Sequence, residues 1–165
     1  MQNMEMLQKQ GLKSLVFDLR GNGGGFMNEA VDIADEFLDG DKLIVYTEGV
    51  NSKKREYRCK RPGLFESGKL VLLVNETSAS ASEVLAGALQ DWCRATIVGR
   101  RTFGKGLVQE QYQLRDGSAI RLTIARYYTP LGRSIQRSYE KGKKVYMDDL
   151  WERFNNGELV SEDSM

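Results

Sequence analysis

"KLVLLVNETSASASEVLAGALQDW", residues 69–92, changes its hydrophobic period halfway along. Residues 69–75 carry an unbroken apolar run at 70–74, a segment of strand length with the pattern of a strand buried in a sheet. From about residue 79 to residue 92 the apolar positions recur at helical spacing, which predicts that Val84, Leu85, Ala88, Leu89 and Trp92 face inward. A strand running straight into a helix places the intervening turn at the helix's positive end, where backbone amides can hold an anion. That turn carries Ser78, Ser80 and Ser82, alternating with alanine. Ser80 can be read in two ways. Ser80-Ala81-Ser82-Glu83 fits a capping box, and the same serine stands where a nucleophile would.

The rest of the chain extends this alternation of strand and helix. Met4 and Leu7, with Met1 before them, read as the end of a helix that Gly11 stops. "KSLVFDL" (13–19) is a short strand followed by the glycine-rich "RGNGGG", and "MNEAVDIADEFLDG" (27–40) is an amphipathic helix with Gly40 as its stop. "KLIVYTEG" (42–49) and "ATIVG" (95–99) read as strands, "REYRCK" (55–60) as an exposed strand, and "RPGLFESG" (61–68) as a loop. "LVQEQYQL" (107–114) and "SAIRLTIARYYTP" (118–130) flank the turn signal "RDG" and predict a hairpin. "YMDDLWERFNNGEL" (146–159) predicts one amphipathic helix closing on Asn156 and Gly157, with a frayed "VSEDSM" beyond it. The strand–helix order of the first hundred residues predicts an α/β core with parallel crossovers.

Composition narrows the function classes. The 165 residues carry a formal net charge of +1, so no strong field selects nucleic acid or anionic lipid. No apolar run approaches the roughly 20 residues of a membrane-spanning helix, and the opening "MQNMEMLQKQG" is too polar for a signal peptide. The flanks of Cys59 and Cys93 lack metal-ligand spacing, and with no histidine to complete a zinc site both read as free thiols. No metal or other cofactor is predicted.

Two further stretches carry chemistry. In "DLRGNGGG" (18–25) glycines after a strand can turn amides toward an anion, or simply make a tight turn. The spacing fits neither a Walker loop nor a dinucleotide fingerprint. In "RTFGKGLVQEQ" (101–111) Lys105 lies between two glycines. It is either a surface lysine in a turn or an amine crowded enough to lose water, which would let it release its proton and act as a base. A serine hydrolase without histidine needs such a base, and serine–lysine pairs are the recognised variant.

Taken in order, "DLRGNGGG", "NETSASASEVLAGALQD", "GRRTFGKGLVQ" and "DGSAIRLTIARYYTPLGRSIQ" resemble consecutive motifs of the C-terminal processing (tail-specific) peptidases, over residues 13 to about 137. The resemblance implies a ClpP/crotonase-like α/β core of repeated β-β-α units, with a C-terminal hairpin and a short terminal helix. It implies a catalytic core over 1–137, an extension over 138–165, and a serine endopeptidase cleaving polypeptides near their C-termini. It places the nucleophile on Ser80, the base on Lys105, a glutamine orienting the lysine on Gln109, and a supporting aspartate on Asp91. The oxyanion hole falls on the Ala81 amide and on Gly24 or Gly25. Family members add a PDZ domain and an earlier core strand, so the chain reads as a catalytic portion lacking both. Polypeptide substrates, no nucleic acid, room for a homo-oligomer and an extracytoplasmic setting in the cell envelope follow from the same resemblance. Against it stand a non-catalytic ligand- or peptide-binding module on the same scaffold, and a phosphate-binding glycine loop.

Overall fold

The computed structural model describes residues 2–159; Met1 and the expected frayed end beyond Leu159 lie outside it. Helix α1 (Gln2–Lys9) ends at Gly11 and leads to strand β1 (Ser14–Asp18). Helix α2 (Met27–Asp35), strands β2 (Leu43–Gly49), β3 (Ser52–Arg58) and β4 (Lys69–Val74), and helix α3 (Ala81–Asp91) follow. Strands β5 (Thr96–Gly99), β6 (Leu107–Gln113) and β7 (Ala119–Tyr128) and helix α4 (Gly142–Asn155) complete the order.

The strands divide between two sheets. One is parallel, in the order β1-β4-β5, with Val16 opposite Val71 and Val71 opposite Thr96. The other is antiparallel, β3-β2-β7-β6, and contains the expected hairpin as β6 and β7. The predicted parallel crossovers therefore hold for β1, β4 and β5, whereas β2 turns back on β3 through the "EGVNS" reversal and joins the other sheet. Along β4, Leu70, Leu72 and Val74 are buried while Val71 and Leu73 are half-buried, so one face of the strand makes the main seal. That face packs on α2 and α3 through Ala34, Val84, Leu85, Ala88 and Leu89.

Trp92 departs from the reading of α3: the residue is 39% exposed. It stands at the helix C-cap, where the chain leaves helical geometry, and its indole N–H donates to the Leu43 carbonyl at 2.7 Å. An indole keeps a polar edge, so the tether forms while one face stays wet. Cys59 is buried beside Asp35, and burial pushes its thiol up to about 11. Cys93 is exposed.

One consequence of the parallel sheet governs function. Neighbouring parallel strands deliver the loops at their carboxyl ends to the same edge, the usual place for a site in such sheets. The loop after β1 is the glycine stretch, the turn after β4 carries Ser80, and the loop after β5 carries Lys105. Three stretches far apart in sequence meet there.

Candidate active site

Of the three serines, the surroundings single out Ser80. Ser78 is fully buried, and its Oγ donates to the Leu19 carbonyl at 2.7 Å while accepting the Asn75 N–H at 3.0 Å. Ser82 is 5% exposed and donates to Asn22 Oδ1 at 3.0 Å. Both are bracing bonds. Ser80 is half-buried and holds φ 57°, ψ −117°, a region that non-glycine residues rarely enter. Such backbone costs about 1–3 kcal/mol and survives only where the surroundings force it, commonly at sites that must aim a side chain. The Glu83 carboxylate accepts the Ser80 N–H as in a capping box, so Ser80 also begins α3, while its Oγ makes no cap hydrogen bond.

The glycine loop closes over this turn. Gly24 has φ +92°, and a Cβ there would sit 2.5 Å from the Ala79 carbonyl oxygen and 2.8 Å from the Ala81 nitrogen. Only glycine lets the two loops touch. Asn22 makes the link: its carbonyl accepts the Ala79 N–H at 3.1 Å, and its Oδ1 accepts both Ser82 Oγ and the Gly24 N–H, the latter at 2.9 Å. The Gly24 amide is thus already bonded. Among the described residues, the Gly25 and Ala81 amides have no hydrogen-bond partner. Beside them opens a small cavity of about 140 Å³, lined by Phe17, Leu19, Phe26, Ile33 and Leu85.

Glu83 joins the serine turn to the lysine loop. It is 5% exposed. Its Oε2 accepts the Ser80 N–H at 2.9 Å and the Lys105 N–H at 2.8 Å, and its Oε1 accepts Thr102 Oγ1 and the Gly104 N–H, each at 2.6 Å. One carboxylate oxygen therefore holds the backbone nitrogens of both candidate residues. The Phe103 N–H adds a bond to the Ser78 carbonyl at 3.0 Å. Below them Arg100 pairs with Glu76 at 2.7 Å, and that bond keeps the Glu76 carboxyl below the usual carboxylate range. Sequence reading placed Glu83 only as a capping partner. The signal that could have marked it was a carboxylate next to the predicted inward face of Val84 and Leu85, with nothing beside it in sequence to neutralise it.

Glu83→Gln is expected to cost about 2–4 kcal/mol, because an amide cannot accept four donors and turns its own N–H groups toward them. Urea denaturation measures this. A loss below about 0.5 kcal/mol would mean that the carboxylate is not the tie.

Lys105 differs from expectation. Crowding falls on the flanking glycines, not on the amine: a Cβ on Gly104 would sit 2.8 Å from Arg137 Cβ, and Gly106 packs on Ile135 and Gln136. The lysine itself is exposed, so burial within this chain does not strip its water. Gln109 lies on β6 with an exposed side chain whose Nε2 reaches Thr123 Oγ1 at 3.5 Å; no hydrogen bond joins it to Lys105 among the described residues. Asp91 is at the opposite end of α3 from Ser80, about 16 Å along the axis at 1.5 Å per residue. There it accepts the Leu131 N–H at 2.9 Å and pairs with Arg133, fixing the turn after β7. Its support is to the scaffold.

Comparison with known proteins bears on these loops. The profile of peptidase family S41 matches residues 1–142. A carboxyl-terminal-processing protease of Picosynechococcus is 43% identical over 145 residues, covering 82% of this chain and 32% of the relative. A chloroplastic carboxyl-terminal-processing peptidase 3 of Arabidopsis thaliana is 46% identical over 127 residues, covering 75% of this chain and 24% of the relative. The chain thus spans about a third or less of these relatives' length. A solved photosystem II D1 C-terminal processing protease superposes with a TM-score of 0.76 at 43% identity, covering 82% of this chain and 35% of that one.

Proposed function

Because the chain belongs to peptidase family S41, we propose that it is the catalytic portion of a serine endopeptidase that trims polypeptides near their C-termini. The observation that carries the proposal is the Glu83 carboxylate, which binds the Ser80 and Lys105 amides with the same oxygen. Ser80 Oγ attacks the scissile carbonyl carbon while its proton passes to Lys105 Nζ. The Gly25 and Ala81 amides, both without a partner and flanking the Ser80 turn, hold the tetrahedral oxyanion. The intermediate collapses, the C–N bond breaks, and the lysine proton goes to the leaving amine. Water, deprotonated by the same lysine, then cleaves the acyl-enzyme ester and regenerates Ser80.

A polypeptide lying across the loops would cover Lys105 and exclude water from it, supplying on binding what the chain alone does not. The cavity beside Gly25 suits a small apolar side chain next to the cleaved bond. Gln109 would orient the amine only after its side chain turns from Thr123. The reading extends to a ClpP/crotonase-like core over 1–137 and a C-terminal extension beyond it. A partnering PDZ module, homo-oligomer formation and an extracytoplasmic or lumenal setting belong to the same proposal. No helix among the described residues is long and apolar enough to cross a membrane. The second reading, a binding module without catalysis, draws on the exposure of Lys105.

Incubation with an unfolded polypeptide, followed by mass spectrometry of new C-termini and of fluorophosphonate-labelled protein, tests the proposal. Cleavage together with a label on Ser80 is expected. Absence of both favours the binding module, and cleavage with a label on another serine reassigns the nucleophile.

A further inference from the structure

Helix α4 is built inside out. Met147, Leu150, Trp151 and Phe154, at spacing that shares one helical face, are 66%, 40%, 68% and 52% exposed. The face turned to the protein carries Tyr146, Asp149 and Arg153 instead. A surface helix ordinarily buries its apolar stripe. Polar contacts hold this one, and they reach the loop bearing Lys105 at Arg101 and the segment beside it at Gln136 and Arg137. Arg153 is 3% exposed and donates from Nη2 to the Arg101 carbonyl at 2.7 Å. Asp149 pairs with the Arg101 guanidinium at 3.3 Å and with Arg137. Arg137 donates to the Tyr146 carbonyl at 2.9 Å, lies over the Tyr146 and Phe103 rings, and bonds through its own N–H to the Gly104 carbonyl at 3.0 Å. Gly104, at φ +86°, has no side chain to keep Arg137 away. The family match ends at the first residue of α4, so nothing in it accounts for these contacts.

We propose that α4 is an outer clamp on the base-bearing loop, with Asp149 and Arg153 as positioning residues that press residues 101–104 inward while Glu83 holds them from within. The clamp rests on the peptidase reading only for its effect on turnover; its mechanical part stands on the contacts alone. The loop leaves β5 at Gly99 and enters β6 at Leu107. Its ends are tied by Arg100 to Val74 and by Gly106 to Tyr127 and Gln136, while Glu83 and Ser78 hold residues 102–105 from within and Arg137, with α4 behind it, holds them from outside.

Hydrogen exchange of the intact chain tests this, with the wild type compared with Arg153→Met, Asp149→Asn and Arg153→Lys. The Gly104 and Lys105 amides are expected to exchange at least tenfold faster in the first two variants. Arg153→Lys, which keeps a donor for the Arg101 carbonyl, should recover most of the protection. Amides of Leu72 and Val74 in β4 and of Leu85 and Leu89 in α3 should be unchanged, and that contrast separates a clamp from general stabilisation. Unchanged exchange at Gly104 and Lys105 would overturn the proposal. So would equal acceleration throughout β4 and α3, or unfolding of both Arg153→Met and the near-isosteric Asp149→Asn. These readings hold whether or not the protein cleaves peptides. Where cleavage is seen, the same variants should lower kcat with KM unchanged, and a KM effect alone would likewise overturn the clamp.

Discussion

Ser80→Gly is expected to abolish peptide cleavage while leaving the fold as stable as the parent or more so. Ser80 sits at φ 57°, ψ −117°, which serine adopts only under constraint and glycine enters without a Cβ penalty. Ser80 Oγ makes no cap hydrogen bond to lose, and glycine at an N-cap costs only a few tenths of a kcal/mol. A net gain of about 1 kcal/mol in urea denaturation is therefore the expected result. Ser80→Ala retains both the strained backbone and the N–H held by Glu83, and should lose no more than about 1 kcal/mol. Turnover in both should drop by on the order of 10⁵ or more, the scale of losing a covalent nucleophile. Ser78→Ala and Ser82→Ala should behave in the opposite way: they remove buried hydrogen bonds at a cost of about 1–3 kcal/mol and leave the nucleophile in place. If Ser80→Gly still cleaves while Ser82→Ala does not, the nucleophile has been assigned to the wrong serine. If Ser80→Gly is destabilised by several kcal/mol, the serine is there to cap the helix.

Lys105→Arg is the second large effect. A guanidinium keeps its charge and has no lone pair to accept the Ser80 proton, so kcat should fall by about 10²–10⁴ with little change in KM. Stability should stay within about 0.5 kcal/mol, because the side chain is exposed and the contact with Glu83 is made by the backbone N–H, which every substitution except proline keeps. The combination of folded and inactive protein is diagnostic. A proteolysis time course and a urea melt on the same preparation provide both readings. Cleavage at the parental rate by Lys105→Arg would remove the lysine from the chemistry and move the binding module ahead.

Local chemistry made some of this legible and left the rest out of sight. The change of period at residues 69–92 established a strand, a turn and a helix, because burial of β4 and α3 imposes each period directly on the residues. The hairpin could be read from "RDG" between apolar runs, and α4 from Asn156-Gly157 at its end. The strand–helix order of the first hundred residues predicted an α/β core with parallel crossovers, and the structure shows that β1, β4 and β5 bring the glycine, serine and lysine loops to one edge. The destination of β2 was hidden, since joining β3 and β7 rather than β1 depends on partners 10 and 80 residues away.

By itself the sequence determined the elements, the parallel arrangement of three of them and the residue types gathered at their carboxyl ends. Tertiary structure alone decided how each of those residues is used. Ser80 is held in a conformation its own side chain disfavours, which follows from the loops packed around it. The Gly24 amide is bonded to Asn22 and the Gly25 amide is not, a distinction that three consecutive glycines cannot display in one dimension. Glu83, at 5% exposure, turns from a cap into the tie between two loops because both present unpaired N–H groups to the same buried carboxylate. Lys105 keeps its water because the crowding its glycines permit is taken up by Arg137, Ile135 and Gln136. Hydrophobic period is a property of neighbours along the chain, whereas hydrogen-bond satisfaction and solvent exposure are properties of neighbours in space.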